Sequence, residues 1–319
     1  MEALLADQRP DRPPVALWRH FPVDDQDPEN LARATCDFQD RYDFDLIKIT
    51  PASSFQIKDW GAVDIWKGNP EGTREYGERV IQKPEDWLKL TALDPHKGWL
   101  AGQIHCASLI SSRYSATTPV LQTVFSPLAQ AKNLAGNERL IVHLRQHPEM
   151  IMKALDAIAE TSIEFIQALV QTGVDGIFFA VQHAQHSLLT VDEFNQFGKA
   201  FDLQVLQAAR PLWCNLVHIH GENILFDQVC DYPVQIFNWH DQSTLPSLKQ
   251  GLALVKGAVC GGLKQWQTLV MGDPAAIHRE SLAAMDQTGR RRFLLGTGCV
   301  TPVTAPSGNI LAARNSVEA

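Results

Sequence analysis

The 319-residue chain lacks the features that mark several classes of protein. It has 28 Lys and Arg residues against 36 Asp and Glu residues, a net charge of −8, so no cationic surplus is available to neutralise the phosphates of a nucleic acid. No apolar run approaches the roughly 20 residues that a membrane-spanning helix needs. The six cysteines are scattered along the chain, and charges flank the short apolar patch near the N-terminus, so we expect free thiols, no signal peptide and a cytoplasmic location.

No Gly-x-Gly-x-x-Gly motif follows the first predicted strand, which argues against a dinucleotide-binding sheet. What the chain does contain is a regular alternation of apolar runs and helical patterns, which indicates a parallel sheet. The eight predicted strands are 15–21, 46–50, 119–126, 176–182, 213–221, 234–240, 257–263 and 292–298. Eight such units in a chain of this length predict an α/β fold, a single-domain (β/α)8 TIM barrel over 15–319, with an open doubly wound sheet as the structural alternative.

Two segments fall outside this pattern. Residues 1–14 are polar, with three prolines, and are predicted to form a flexible N-terminal arm. Residues 52–118, between the second and third predicted strands, are irregular except for a predicted helix near 84–90, so we interpret them as a lid or an insertion. The other predicted helices are 28–42, 148–172, 190–210, 222–230, 244–256, 273–289 and one that starts near 306.

The fifth predicted strand ends in His-x-His-Gly. Because side chains alternate along a strand, His218 and His220 point to the same face, and in a barrel the carboxyl ends of the strands carry the active site. Cys299, in the segment GTGCVTP, follows the eighth strand and would complete a set of two nitrogens and one sulfur. Three protein ligands with an open fourth position are typical of catalytic zinc. The alternative is that the histidines only bond to the backbone or to a substrate.

Further polar residues end the other strands. His240 could be a metal ligand, an acid–base group or a substrate contact, and His183 either faces the pocket or solvent; we predict catalytic roles for both. Gln182, Asn238 and Asp241 are predicted to contact substrate, although Asp241 could instead cap the following helix.

Two basic residues are predicted to bind substrate. Lys48 lies inside an apolar strand, where it would pair with a carboxylate, face a polar pocket or extend its amine to the barrel rim. Arg19 would bind a substrate carboxylate with two parallel hydrogen bonds, or pair with an aspartate of the next loop.

Three stretches, PVALWRHFP, GVDGIFFAVQHAQHSLLTVDEF and LLGTGCVTPVTAPSGNI, resemble the uroporphyrinogen decarboxylase superfamily, and the resemblance covers about residues 13–315. It implies a (β/α)8 barrel. The superfamily includes decarboxylases of haem synthesis and zinc-dependent methyltransferases that pass methyl groups from corrinoids to thiols. Dimers occur in it, so a homodimer is compatible with the resemblance.

The chain departs from the decarboxylase pattern. Arg19 matches the first arginine of that pattern, and the positions of the other decarboxylase residues are occupied differently. The second arginine falls on Val23, the aspartate on Pro51 or Ala52, the tyrosine near Asn133, the serine near His183 and the histidine on Thr297.

The methyltransferase pattern fits better. It implies a His-x-Cys zinc motif after the fifth strand and a distant cysteine; His218 and Cys299 match, and His220 replaces the middle cysteine. We therefore predict an enzyme that uses Zn²⁺ to transfer a methyl group to a small-molecule thiol, with a corrinoid protein as candidate donor. The alternatives are a decarboxylase of uroporphyrinogen or another carboxylate, a metal-dependent hydrolase, and a barrel that only binds a tetrapyrrole, corrinoid or carrier protein.

Overall fold

A curled parallel sheet of seven strands forms the centre of the computed structural model, which describes residues 1–8 and 10–318. The strands of this sheet run in the order β1-β4-β5-β6-β7-β8-β9, and each pairs in parallel with its neighbours. They are β1 (Ile47–Ile49), β4 (Val120–Phe125), β5 (Gly176–Val181), β6 (Leu216–Ile219), β7 (Ile236–Trp239), β8 (Ala258–Leu263) and β9 (Phe293–Thr297). A separate antiparallel hairpin pairs β2 (Asp64–Ile65) with β3 (Glu75–Tyr76). All residues of the seven sheet strands are buried.

Seven of the eight predicted strands are thus confirmed, each shorter than predicted. The prediction of a strand at 15–21 is wrong. That segment makes one isolated parallel bridge, between Val15 and Leu295. Pro13 and Pro14 have no amide hydrogen to donate to a ladder, and further on the Trp18 carbonyl accepts a bond from the Thr301 amide instead of from a strand.

Helices connect the strands, as predicted. The α-helices are α1 (Glu2–Leu5), α2 (Pro28–Tyr42), α3 (Gly98–Tyr114), α4 (Pro127–Ala135), α5 (Asn137–Gln146), α6 (Pro148–Val170), α7 (Val191–Phe194), α8 (Ala200–Ala208), α9 (Phe226–Val229), α10 (Leu248–Leu254), α11 (Pro274–Thr288) and α12 (Ser307–Asn315). Short 3-10 helices span Asp24–Gln26, Phe55–Trp60 and Pro84–Lys89, and π-helical turns span Asn195–Lys199 and Gln265–Val270. None of the helices in the described residues has the length and apolarity needed to cross a membrane.

The segment 52–118 is more ordered than its sequence indicates. Its last part is the 17-residue helix α3, which packs against α2. Gly98 and Gly102 in the first turns of α3 obscure its helical pattern, because glycine is a poor helix former. The part that differs from a regular strand–helix–strand connection is therefore 52–97, which holds the β2–β3 hairpin.

The N-terminal arm is in contact with the rest of the protein. It begins with α1, and Leu4 is buried in the main core. The Arg12 guanidinium donates two hydrogen bonds to the Asp45 carboxylate, at 2.7 and 2.9 Å. The flexibility of residues 1–14 stays a prediction.

Candidate metal centre

The carboxyl ends of β6 and β7 hold His218 in one orientation. His218 and Asn238 are neighbours in the register of the two strands, and His218 Nδ1 lies 2.7 Å from Asn238 Oδ1. The Asn238 amide group donates to the carbonyls of Cys260 (3.0 Å) and Thr297 (2.9 Å), so its oxygen must face His218. An amide oxygen only accepts, and Nδ1 must therefore carry the hydrogen. The buried Nε2 has no partner, and its lone pair is free for a cation.

Three more donors lie close to this ring. Among the described residues, His218, His220, His240 and Cys299 each offer one ligand atom, and these four atoms lie within 4.8 Å of one another. His220 Nδ1 is 3.4 Å from His240 Nε2 and 3.8 Å from Cys299 Sγ. The predicted convergence of His218, His220 and Cys299 is thus present, and His240 joins them.

Burial keeps these imidazoles neutral. Loss of solvent lowers the pKa of His220 to about 3 and the pKa of His218 well below its ordinary value, and the neighbouring histidines lower both further. Loss of solvent also lowers the pKa of His240. Neutral rings are the form that binds a metal. Burial raises the pKa of the Cys299 thiol to about 11, so without a cation the cysteine is protonated at neutral pH.

A cavity of about 90 Å³ lies beside three of the four donors, His218, His220 and Cys299. His240 does not line it; it lines a separate cavity of about 130 Å³ together with Gln242, Lys264 and Trp266. The four donors therefore lie between two cavities, and the three residues predicted as metal ligands line the first of them.

Lys48 and Gln182 also line the cavity beside the donors; their roles as substrate contacts stay predictions. The Lys48 ammonium donates to Thr50 Oγ1 at 3.2 Å and lies 4.4 Å from the centre of the Phe178 ring. Burial lowers the pKa of Lys48 to about 7. Gln182 Oε1 is buried without a hydrogen-bond partner.

The other predicted substrate contacts do not line this cavity. Asn238 lies behind His218 as its hydrogen-bond acceptor. Asp241 accepts bonds from the Gly262 amide and the Gln242 side chain, so it connects the loop after β7 to the end of β8. Burial raises the pKa of Asp241 to about 6. Arg19 lies against the Phe21 ring, 5.4 Å from its centre.

His183, one of the two predicted catalytic residues, is also outside the cavity. It is buried, and neither ring nitrogen has a hydrogen-bond partner. Burial lowers its pKa to about 3, with a smaller contribution from Lys132. A catalytic role for His183 stays a prediction.

Sequence reasoning missed the wall of the cavity that the β2–β3 hairpin supplies. Glu71 and Thr73, between the two hairpin strands, line it. Gly72 has φ of +82°, and a Cβ there would lie 2.5 Å from His20 Cβ, so the hairpin loop lies directly on the segment that carries His20. The only sequence signal for this contact is the glycine itself.

Known proteins resemble the chain in sequence and in fold. The family described as uroporphyrinogen decarboxylase (URO-D) matches residues 1–319. A methylcobamide:CoM methyltransferase, MtbA, of Methanosarcina mazei is 20% identical over 236 residues, which is 72% of this chain and 67% of the relative. The solved structure of a methyltransferase from Methanosarcina mazei aligns with a TM-score of 0.84 and 17% identity over 98% of this chain and 96% of the other.

A more distant fold match is a B12-independent methionine synthase from Shewanella sp. W3-18-1, solved in complex with selenomethionine. It aligns with a TM-score of 0.59 and 14% identity over 90% of this chain and 86% of the other. At these identities the two structural matches establish a shared fold and no more. The family match, by contrast, extends over the whole sequence, and the chain therefore belongs to the uroporphyrinogen decarboxylase (URO-D) family.

Proposed function

We propose that this protein is a zinc-dependent methyltransferase whose acceptor is a small thiol. The observation that carries the proposal is the convergence of three neutral imidazoles and one cysteine sulfur within 4.8 Å. The methyltransferase relative supports the same reaction class.

The donor set fits zinc in chemistry and in spacing. Thiolate together with imidazole favours Zn²⁺ among common metals. Tetrahedral zinc with bonds of about 2.05 Å to nitrogen and about 2.3 Å to sulfur separates two nitrogens by ~3.3 Å and a nitrogen from a sulfur by ~3.6 Å. Two of the six distances in the donor set are close to these values: 3.4 Å from His220 Nδ1 to His240 Nε2 and 3.8 Å from His220 Nδ1 to Cys299 Sγ. All six lie within 4.8 Å. The nitrogen pair is also wider apart than an ordinary N–H···N hydrogen bond.

Zinc bound at this place would lower the pKa of a thiol and so supply a thiolate at neutral pH. His218, His220 and Cys299 would hold the ion on the side of the 90 Å³ cavity. These three ligands would leave the fourth position of a tetrahedral zinc to the acceptor thiol, and His240, from the side of the other cavity, would occupy that position when no thiol is bound. Asn238 would keep His218 Nε2 pointed at the ion, because it fixes the hydrogen on Nδ1.

The methyl donor in this proposal is a corrinoid protein. The name of the Methanosarcina relative, methylcobamide:CoM methyltransferase, supports this class of donor. A cavity of about 90 Å³ is too small for a corrinoid or any other tetrapyrrole, so the donor would present its methyl group at the mouth. The same size argues against decarboxylation of uroporphyrinogen.

We also propose that the sheet closes as a (β/α)8 barrel through the segment that begins at Val15. Two contacts support closure. The Val15 segment exchanges hydrogen bonds with Leu295 of β9, and the Val15 carbonyl accepts a bond from the Asp45 amide, two residues before β1. In this arrangement, residues 52–97 would cover the carboxyl ends of the strands as a lid.

Metal analysis combined with a transfer assay tests the function. The purified protein should contain about one zinc per chain, and Cys299→Ala should lose most of it. Cys230→Ala is the matched control, because Cys230 is half-buried and bonds to the Asp227 carbonyl, away from the four donors. Zinc-loaded protein should move the methyl group of methylcobalamin to a thiol, and chelation should stop it. Wild-type protein without stoichiometric zinc would remove the proposal, and decarboxylation that survives a chelator would favour the decarboxylase alternative.

A further inference from the structure

The 90 Å³ cavity beside His218, His220 and Cys299 contains a buried lysine amine. Lys48 is 7% exposed, and its ammonium makes one hydrogen bond, to Thr50. No carboxylate of the described residues lies within 4.0 Å of the Lys48 nitrogen. A buried charge without a partner is costly, so the amine is suited to receive an anion that enters the cavity.

An acidic residue of the hairpin loop, Glu71, lines the same cavity. The Glu71 backbone amide donates a hydrogen bond to Asn69 Oδ1 at 2.9 Å. The Glu71 side chain makes no hydrogen bond or ion pair with the described residues. Lys48 belongs to a sheet strand, and Glu71 belongs to the covering loop. The two charges face one space without neutralising each other.

We propose that the acceptor is a zwitterionic thiol of the α-amino-acid type, with its carboxylate at Lys48 and its ammonium group at Glu71. The identification of the sulfur rests on the proposed function, whereas the identification of the two charges does not. A purely anionic thiol would leave Glu71 without a partner and repelled, and a purely cationic thiol would do the same to Lys48. Only a ligand with both charges satisfies both side chains.

The size of the cavity agrees with such a ligand. At about 10–15 Å³ for each water-sized group, a volume of about 90 Å³ accommodates roughly six to nine non-hydrogen atoms. An α-amino acid with a short thiol side chain falls within this range. The apolar walls that Trp18, Phe125 and Phe178 provide would contact its methylene groups.

The first measurement uses ligands without sulfur, so that it does not depend on metal. L-2-aminobutyrate, butyrate and propylamine are titrated into the protein and followed by NMR. L-2-aminobutyrate should bind at least about tenfold more tightly than either single-charge compound. Equal binding of L-2-aminobutyrate and butyrate would overturn the proposal, whatever the result with thiols.

The second measurement assigns each charge to its residue. Lys48→Met should abolish the preference over propylamine, and Glu71→Gln should abolish the preference over butyrate. Lys67→Met and Glu75→Gln are matched controls, because this pair lies exposed on the same hairpin and should leave both preferences unchanged. A preference that survives Glu71→Gln would refute the assignment of the ammonium site.

The third measurement uses L-homocysteine, 3-mercaptopropionate and 2-aminoethanethiol with the zinc-loaded protein. L-homocysteine should be the best methyl acceptor by at least about tenfold in kcat/KM. If all three thiols are methylated equally, the proposed function stands and the zwitterion proposal fails. If none is methylated while L-2-aminobutyrate still binds selectively, the charge recognition stands and the thiol function fails.

Discussion

Asn238 accepts a hydrogen bond from His218 and so decides which nitrogen of that ring is free. The 2.7 Å contact at Nδ1 and the two bonds that the Asn238 amide group donates to main-chain carbonyls leave one tautomer. The proposed zinc site thus depends on a residue that does not contact the ion. Replacing a residue that hydrogen-bonds to a metal ligand in this way typically changes metal affinity by 10–100-fold.

Replacement of Asn238 by leucine should weaken zinc binding. His218 would lose the acceptor that fixes its hydrogen, and zinc affinity should fall by about 10–100-fold in a competition titration with a chelator. Asn238→Asp is the control, because it keeps an acceptor for Nδ1, although its second oxygen faces the two carbonyl oxygens that the amide group had bonded. The aspartate variant should lose stability, by about 3 kcal/mol or more, but keep its zinc. Equal zinc affinity in the leucine variant would contradict the role assigned to Asn238.

Gly72→Ala should displace the hairpin loop from the cavity. The new Cβ would lie 2.5 Å from His20 Cβ, which cannot rotate away because it is bonded directly to the main chain. Gly68→Ala separates this contact from backbone strain, because Gly68 has nearly the same φ, +80°, and no atom within 4 Å of a new Cβ. Both variants should lose roughly 1 kcal/mol from strain. Only Gly72→Ala should weaken binding of L-2-aminobutyrate, by about tenfold.

The order of the hairpin also depends on a buried ion cluster. Asp64 accepts bonds from Lys58 at 3.2 Å and Arg74 at 3.0 Å, and its side chain is 1% exposed. Asp64→Asn leaves the largely buried Lys58 without an anion and leaves Arg74 with only Asp25, at 3.5 Å. We therefore expect a loss of about 3 kcal/mol in the free energy of unfolding. Glu75→Gln, which breaks an exposed pair on the same hairpin, should cost less than about 1 kcal/mol. Urea unfolding measures both, and equal costs would contradict the importance of the cluster.

The seven strands of the sheet and three of the four donors could be predicted from the sequence. Alternation along β6 predicts that His218 and His220 share a face, and the position of Cys299 after the last strand brings it to the same end of the sheet. These inferences depend only on strand geometry, which is local and periodic.

What the sequence could not show depends on contacts between distant segments. The role of Glu71 depends on the close approach of Gly72 to His20, some 50 residues away in the chain, and no periodic pattern records it. The predicted strand at 15–21 failed for a related reason, since apolar composition indicates burial but does not determine which main-chain groups pair. His240 could be a ligand, an acid–base group or a substrate contact on sequence grounds, and its distance from His220 was needed to place it among the donors.

Stability should depend on pH through Asp202, which lies in α8, outside the proposed site. Burial raises the pKa of Asp202 to about 7, and the hydrogen bond that Tyr232 donates at 2.8 Å lowers the pKa again in part. In the unfolded chain the carboxyl has a pKa near 3.9, so between about pH 4 and pH 7 the folded protein holds a proton that the unfolded chain has released. The stabilisation that Asp202 contributes to the folded protein is therefore complete below about pH 4 and decreases as the pH rises to about 7.

Asp202→Asn removes this dependence, because an amide does not titrate. Relative to the variant, the wild-type protein should become less stable between pH 5 and pH 8, by roughly 1–3 kcal/mol at about 1.4 kcal/mol for each pKa unit. Tyr232→Phe should extend the decrease to higher pH, because loss of the phenol raises the pKa of Asp202 further. Urea unfolding at several pH values gives the difference directly, and any constant cost of the substitutions cancels in the slope. A difference that stays flat with pH would show that Asp202 ionises normally in the folded protein.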